Sequence, residues 1–354
     1  MDDTPRQFLT DLLRTHSPSG FETRGQRVWL DYVSDIADEV WTDAYGNAVA
    51  VVEGSGSGPE LAFTGHVDEI GFIVRDVTDD GFLRVGPIGG ADRTVSKGQH
   101  VTVHTDDGSV QGVVGQTAIH LRDHGSEEYE DIEAQFVDVG ADDEETAREL
   151  VQVGDPVTFT SGMYELHGNR LAARGVDNRV GVWAAAEGLR RVAETDHEAT
   201  VYAVSTVQEE VGLQGARMVG YDLDPDAVVA LDVTHATDSP AVSGEKNGPV
   251  ELGKGPVISR GSTNHPVLVD LLREAAEEAG VDAQLQATGV RTGTDADAFY
   301  TTRSGIPAVN VGIPNRYMHT PVEVVDTADL DSTVDLLAEF AVRAGEYDDF
   351  AVEL

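Results

Sequence analysis

The chain has 354 residues, and its 64 acidic and 24 basic side chains give a formal net charge of −40. A chain this anionic repels nucleic acid and anionic membranes, and its lack of cysteine excludes disulfides and thiolate metal sites. The start does not fit a signal peptide and no apolar run approaches ~20 residues, so we expect a soluble, cytoplasmic protein. The negative charge is spread along the chain, which favours a halophile, because a salt-rich cytoplasm screens self-repulsion.

Residues 1–70 predict two helices, a β-hairpin and a short buried strand. Thr4-Pro5 is typical of a helix start, because threonine caps the first turn and proline fits the first helical position. The predicted elements are helices from Thr4 and over about 22–36, strands at 39–41 and 48–52 around a Tyr45-Gly46-Asn47 turn, and a strand at 61–64.

Residues 71–162 have a different pattern. Short alternating runs such as 72–74, 100–104 and 110–114 lie between Gly, Asp and Thr turns, and no long helix is predicted. This pattern favours a small β-barrel or sandwich. The acidic segment 123–133 is predicted to be a loop.

Helices and strands alternate again after residue 162, in the order of an α/β sheet covered by helices. Helices are predicted at 180–192, 266–279, 296–302 and 330–344, and strands at 200–207, 227–231, 283–287 and 308–311. The β-rich block therefore interrupts a larger domain. We expect a discontinuous catalytic domain at 1–70 and 163–354, with an inserted domain at 71–162.

The strand at 200–207 is followed by two adjacent carboxylates, Glu209 and Glu210. Neighbouring buried carboxylates repel each other and lose hydration, so they seldom stabilise a fold. A metal site would use both, because one glutamate can bind a cation while the other takes a proton from a water. The alternative is an acidic strand end that faces water.

Other predicted strands also lead to residues that bind metals. Sites in open α/β sheets lie beyond the carboxyl ends of the strands, and zinc and cobalt accept histidine and carboxylate ligands. A lone histidine is more often structural and a lone aspartate here is more often surface charge, but several together favour a metal site. They are His66 and Asp68 after 61–64, Asp177, Asp232 after 227–231, and His319 beyond 308–311.

The set fits two metal ions better than one. A pair of ions about 3.5–4 Å apart needs a bridging carboxylate and separate ligands for each ion. Asp177 is the natural bridge, because Gly175 and Asn178 beside it suit a sharp turn. Asp68 follows His66 by two residues on an extended segment, so it points the same way and could fix the tautomer of that imidazole.

Five segments carry these residues. In chain order they read GHVDEIG (65–71), GVDNR (175–179), QEEVGLQGA (208–216), ALDVT (230–234) and RYMHTPVE (316–323). Together they resemble the motif set of the tetrahedral aminopeptidases, which belong with the glutamyl and deblocking aminopeptidases, a family of dinuclear metallopeptidases. The resemblance covers essentially the whole chain. It implies an α/β fold with a mixed sheet covered by helices, a PDZ-like β-barrel at 71–162 used for dimerisation, and a hollow tetrahedral particle of twelve subunits.

The resemblance also implies a role for each residue. Asp177 would bridge two divalent cations, zinc or cobalt, with Glu210 and His319 completing one site. His66 and Asp232 would complete the other site, and the catalytic residues would be Glu209, as general base, and Asp68. Some family members carry a second aspartate where this chain has Asn178, which changes the charge beside the bridge. The roles of Asp295, His120 and the acidic loop are left open.

The sequence therefore predicts a metal-dependent aminopeptidase that acts on peptides. The alternatives are a deacylase or carboxypeptidase of the related dinuclear hydrolases, or a catalytically inactive metal-binding assembly subunit. The intact Glu209 argues against an inactive subunit. An endoglucanase is disfavoured, because a glycosidase needs two carboxylates that flank a sugar and gains nothing from His66 and His319.

Overall fold

The computed structural model describes residues 1–122, 129–240, 242 and 248–354, so part of the predicted acidic loop, including His124, lies outside the described residues. Within the described ranges there are eight α-helices and seventeen β-strands. The helices are α1 (Asp3–Arg14), α2 (Thr23–Val33), α3 (Glu144–Leu150), α4 (Val176–Ala193), α5 (Gln214–Leu223), α6 (Pro266–Ala279), α7 (Ala296–Phe299) and α8 (Thr327–Ala344). The strands are β1 (Glu39–Thr42), β2 (Ala48–Val52), β3 (Glu60–His66), β4 (Gly71–Val77), β5 (Leu83–Ile88), β6 (His100–Thr105), β7 (Gly108–Val114), β8 (Phe136–Asp138), β9 (Pro156–Phe159), β10 (Tyr164–Glu165), β11 (Arg170–Ala173), β12 (Thr200–Thr206), β13 (Ala227–His235), β14 (Val257–Gly261), β15 (Gln284–Thr288), β16 (Ala308–Asn315) and β17 (Glu323–Asp326).

The main sheet has eight strands in the order β1-β2-β12-β3-β13-β16-β14-β15. Its central strands β12, β3, β13 and β16 are parallel neighbours, whereas β2 joins β12 and β14 joins β16 in antiparallel pairs. The sheet is therefore mixed, and the predicted hairpin is present as β1 paired with β2. The carboxyl ends of the four parallel strands lie along one edge, where α/β sheets bind ligands.

Helices cover both faces of this sheet. Alternate residues of each strand face opposite layers, so Phe63 packs in the core that contains α1, α2, α4, α6 and α8, while Ala62 packs in the core that contains α5 and α7. Among the described residues, no helix has the length and apolarity needed to cross a membrane.

Helix α4 lies unusually close to β3. A Cβ added at Gly65 would fall 2.6 Å from the backbone carbonyl carbon of Gly181, so only a glycine allows this approach. This close approach places the first turn of α4, which contains Asp177, beside the end of β3, where His66 lies.

Six strands form a closed barrel in the order β4-β5-β8-β7-β6-β9. Apolar side chains from these strands fill its interior, with the rings of Phe72 and Phe159 packed edge to face. The seven-residue α3 is the one α-helix among the described residues of this block, in keeping with the predicted lack of a long helix. The β-barrel expected for this part of the chain is thus present, within an α/β fold.

Several elements of the structure carry no clear sequence signal. Helix α5 contains Gly215 and Gly220, which are poor helix formers, and β14 was not predicted. A small sheet, β10-β11-β17, consists of strands of two to four residues, too short for a recognisable alternation. This small sheet leads directly into the start of α4.

The pairing of the first and last barrel strands suggests that the barrel can be deleted from the chain and replaced by a short linker. Because β4 and β9 are antiparallel neighbours, with Phe72 opposite Val157, residues 71 and 162 lie near each other and a short Gly/Ser linker can join them. We expect a chain lacking residues 72–161 to keep the circular dichroism of a folded α/β domain but to lose self-association, since the barrel is the predicted dimerisation module. The control is the same linker inserted at the exposed Gly56 of the full chain. A large particle detected by light scattering after the deletion would contradict this role.

Candidate metal centre

The side chains predicted for the site come together at the carboxyl edge of the main sheet. Strand β3 ends at His66, and β13 contains Asp232 near its end. Glu209 follows the last residue of β12 by three positions, and His319 follows the last residue of β16 by four. Asp177 enters from the first turn of α4. Parallel strand ends therefore gather residues that are far apart in the sequence.

Asp177 lies between the two histidines. Its Oδ1 is 3.2 Å from Nε2 of His66, and its Oδ2 is 3.3 Å from Nε2 of His319. The two oxygens of one carboxylate thus face two different imidazoles. This is the arrangement that a carboxylate bridging two cations requires.

Each histidine has a further acidic neighbour. Oδ1 of Asp232 is 3.7 Å from Nε2 of His66, and Oε1 of Glu210 is 3.5 Å from Nε2 of His319. The donors therefore fall into two groups on either side of the shared aspartate. One group contains His66 and Asp232, and the other contains His319 and Glu210.

Glu209 is also close to the donors. Its Oε2 is 3.8 Å from Nε2 of His66, and Glu209, His66 and Asp232 place ligand atoms within 4.8 Å of one another. Ligand atoms of His66, Asp177 and Glu210 form a second group of this kind. Distance alone therefore allows Glu209 to act as either a ligand or a base.

Backbone carbonyls orient both imidazoles. The backbone oxygen of Asp68 is 3.2 Å from Nδ1 of His66, and the backbone oxygen of Gly90 is 3.1 Å from Nδ1 of His319. In a neutral ring, a carbonyl partner places the proton on Nδ1 and leaves Nε2 free to bind a metal. Gly90 belongs to the loop after β5, so the barrel contributes a contact to this site.

Asp68 has more partners than its sequence position suggests. Its Oδ1 lies 3.4 Å from Nδ1 of His66, slightly farther than its own backbone carbonyl. The same carboxylate accepts the backbone N–H groups of Glu209 and Glu210, at 3.0 and 3.2 Å, and the hydroxyl of Ser19 at 2.6 Å. Asp68 therefore holds the two glutamates as well as facing the histidine.

The acidic side chains strongly perturb one another. Burial raises the pKa of Glu209 to about 10 despite the nearby His66, and burial together with Asp177 raises the pKa of Glu210 to about 8. The hydrogen bond to Asp177 raises the pKa of His319 to about 10. The crowding of negative charge therefore favours the protonated forms of Glu209, Glu210 and His319. Divalent cations also fit this donor set of imidazole nitrogens and carboxylate oxygens.

A buried ion cluster that was not predicted lies beside the site. Glu69 pairs with Arg174 and Arg179 and accepts the backbone N–H of Ser17. Burial alone would raise the pKa of Glu69, but the two guanidinium groups lower it to about 2. The cluster connects the chain before α2, the end of β3 and the start of α4. Its sequence signals are the positions of Glu69 within the GHVDEIG segment and of Arg179 within the GVDNR segment.

Two other carboxylates at the site were not given roles from the sequence. Asp295 is 3 % exposed and accepts the hydroxyl of Thr206 at 2.6 Å, and burial raises its pKa to about 7. Glu323 is 2 % exposed and contacts backbone groups of two predicted ligands. His120, in contrast, lies exposed in the turn Ile119–Leu121.

The mixed sheet covered by helices thus carries, at its carboxyl edge, a buried histidine–carboxylate cluster that could hold metal ions. The chain belongs to the M42 glutamyl aminopeptidase family, whose model matches residues 46–336. It is therefore a peptidase of the aminopeptidase type.

Individual relatives span nearly the whole chain. A lysyl aminopeptidase of Pyrococcus furiosus is 36 % identical over 93 % of this chain and 94 % of its own length. A TET aminopeptidase from a Thaumarchaeota archaeon aligns with a TM-score of 0.91 and 30 % identity over 96 % of each chain. The TET1 peptidase of Pyrococcus horikoshii, described as able to assemble into a tetrahedron or a large octahedral shell, aligns with a TM-score of 0.84 and 31 % identity over 95 % of this chain and 99 % of its own.

The contact between the barrel and His319 can be tested with one methyl group. A Cβ at Gly90 would lie 2.6 Å from Nδ1 of His319, so Gly90→Ala should displace the imidazole. We expect metal affinity or activity to fall about 10- to 100-fold, as for other losses of a partner to a metal-binding histidine. The control is Gly115→Ala, because an added Cβ at this barrel residue has no atom within 4 Å. Equal metal affinity and activity in the two variants would show that the contact does not position His319.

Proposed function

We propose that the protein removes N-terminal residues from peptides, using two divalent cations held by the histidine and carboxylate side chains of the candidate metal centre. His66 and Asp232 would hold one cation, Glu210 and His319 the other, and Asp177 both. The observation that carries the proposal is the position of the Asp177 carboxylate, whose two oxygens lie 3.2 and 3.3 Å from Nε2 of different histidines. When bound, zinc or cobalt ions would supply Lewis acidity that lowers the pKa of a water and polarises the scissile carbonyl.

Glu209 would be the general base. Its carboxylate would accept the proton of the attacking water and pass that proton to the amine nitrogen of the leaving group. The hydrogen bond from its backbone N–H to Asp68 would keep this side chain in place during both transfers. Its neighbour Glu210 faces His319 instead, which supports a division of labour between the two glutamates.

The relatives support cleavage at the amino terminus. The family is named for a glutamyl aminopeptidase, and a relative that is 36 % identical is a lysyl aminopeptidase. These relatives favour an aminopeptidase over a carboxypeptidase or a deacylase. The free amino group of the substrate would bind beside the cluster, which would restrict cleavage to the N-terminal residue.

The relatives support a homo-oligomer. Because TET peptidases assemble into closed shells, we propose a tetrahedral particle of twelve subunits built from dimers, with the barrel at 71–162 as the dimerisation domain and 1–70 with 163–354 as the catalytic domain. An enclosed particle would admit only unfolded peptides.

The charge supports a halophilic, cytoplasmic enzyme. The sequence holds 3 lysines and 21 arginines against 64 acids, and no described helix could cross a membrane. Mobile ions would screen repulsion within and between subunits, while nucleic acid and anionic membranes would stay excluded as partners.

The proposed roles of the two glutamates make opposite predictions. Glu209→Gln keeps the shape of the side chain but cannot take a proton, so metal content should stay near wild type while kcat falls about 10²- to 10⁴-fold. Glu210→Gln removes an anionic ligand, so it should lose metal and regain part of its activity when metal is added. Metal analysis and hydrolysis of a fluorogenic aminoacyl substrate measure both effects.

The wild-type enzyme, with and without EDTA, is the reference for that experiment. EDTA should abolish hydrolysis and added metal should restore it. A fully metal-loaded, inactive Glu210→Gln together with a metal-depleted, rescuable Glu209→Gln would reverse the two roles. Wild-type protein that is inactive on all aminoacyl substrates would instead favour an assembly subunit.

Salt dependence tests the proposed halophilic context. Lowering ionic strength from about 1 M to about 0.1 M lengthens electrostatic screening from about 3 Å to about 10 Å, so repulsion between subunits grows. We expect the particle to dissociate and activity to fall over this range, as followed by sedimentation velocity and substrate hydrolysis. NaCl and KCl at equal ionic strength should act alike if screening is the cause. An intact, active particle at 0.1 M would refute the proposed dependence.

A further inference from the structure

Glu323 connects two predicted metal ligands through their backbones. Its Oε2 accepts the N–H of Asp177 at 3.0 Å, and its Oε1 accepts the N–H of His319 at 2.8 Å. The side chain is 2 % exposed, so water cannot easily replace either partner. Each oxygen accepts one N–H donor, so this carboxyl group joins the backbones of Asp177 and His319.

The location of Glu323 follows from the small sheet. Strand β17 pairs with β11 so that Glu323 lies opposite Ala173, a few residues before Asp177. On the other side, Arg316 and Val324 exchange two backbone hydrogen bonds, at 2.9 and 3.0 Å, which close the loop that contains His319. The carboxylate therefore lies where the segments carrying the two ligands meet.

The backbone of His319 needs such a partner. Its φ is +64°, in the left-handed region that a residue with a Cβ seldom adopts without support. Tyr317 in the same loop has the same φ of +64°. The carboxyl oxygen that accepts the N–H of His319 is a direct means of holding this conformation, and with it the direction of the imidazole.

Asp68 has the same geometry on the other side of the site. It accepts the N–H groups of Glu209 and Glu210, as Glu323 accepts those of Asp177 and His319. Four predicted site residues are thus held in pairs by two buried carboxylates. The sequence pointed to a role for Asp68 only, because Asp68 lies two residues after a histidine.

We propose that Glu323 is a positioning residue for the metal centre, holding Asp177 and His319 in the geometry that binds the cations. The proposal rests on the metal centre described under the proposed function. This positioning role differs from a purely structural one, because substitution of Glu323 would lower metal affinity and not only the stability of the metal-free fold.

The test is Co²⁺ binding to EDTA-treated protein, followed by calorimetry and by the visible absorption of the bound ion. Glu323→Gln keeps the shape but replaces one acceptor oxygen by an N–H donor, so one of the two backbone N–H groups loses its partner. We expect Co²⁺ affinity to fall about 10- to 100-fold and the absorption spectrum to change. The thermal midpoint of the metal-free variant should fall by a few degrees at most, because only one buried N–H loses its acceptor. Excess Co²⁺ should restore part of the activity.

Asp326→Asn is the matched control. Asp326 is another buried acid of β17, but its carboxylate caps α8 by accepting the N–H of Ala328. Its substitution should leave Co²⁺ affinity unchanged. If Glu323→Gln fails to fold, Glu323→Asp provides the same test, since it keeps the charge but is too short to reach both N–H groups.

The outcomes separate this inference from the proposed function. Wild-type Co²⁺ affinity and spectrum in a folded Glu323 variant would overturn the positioning role and leave the metal centre intact. A lower metal-free thermal midpoint with unchanged Co²⁺ affinity would also overturn it, in favour of a structural role. Wild-type protein that binds no Co²⁺ and is insensitive to EDTA would overturn both proposals.

Discussion

Several carboxylates that repel one another are buried at the carboxyl edge of the main sheet, and the surrounding segments have to hold them there. Asp177, Glu209, Glu210, Asp232 and Asp295 are gathered at this edge, and Asp177 faces the imidazoles of His66 and His319. In a medium of low dielectric constant, such a cluster either binds protons or is neutralised by cations. Its burial also makes it useful, because charges excluded from water act strongly on a substrate and on bound metal.

The protein holds this cluster mainly through its backbone. Asp68 and Glu323 each accept two N–H groups from residues of the site, and carbonyls of Asp68 and Gly90 face the far nitrogens of the imidazoles. The Glu69 cluster fixes the neighbouring segments. Backbone groups in a packed fold move little, so this arrangement sets donor positions more firmly than flexible side-chain contacts alone would.

Acidic residues serve two distinct physical purposes in this chain. Exposed carboxylates are hydrated and screened, and their ion pairs with arginine, such as Arg148 with Glu144, contribute little to stability. Several buried carboxylates are instead held by specific donors, as Glu69 is by Arg174 and Arg179. The net charge is therefore set mainly by exposed acids, whereas burial and hydrogen bonding distinguish the acids of the candidate site.

The α/β order of elements and the β-rich insertion could be predicted from the sequence, because hydrophobic periodicity is a local property. The residues that meet at the site could also be predicted, because parallel strands share one carboxyl edge. The sequence did not reveal α5, whose glycines weaken the helical signal, or the short β17 that carries Glu323. Only the tertiary structure showed that Gly90 of the barrel contacts His319 and that Asp68 holds both glutamates. These contacts join segments far apart in the chain, and hydrogen-bond partners of that kind are decided by packing in three dimensions rather than by any local pattern of residues.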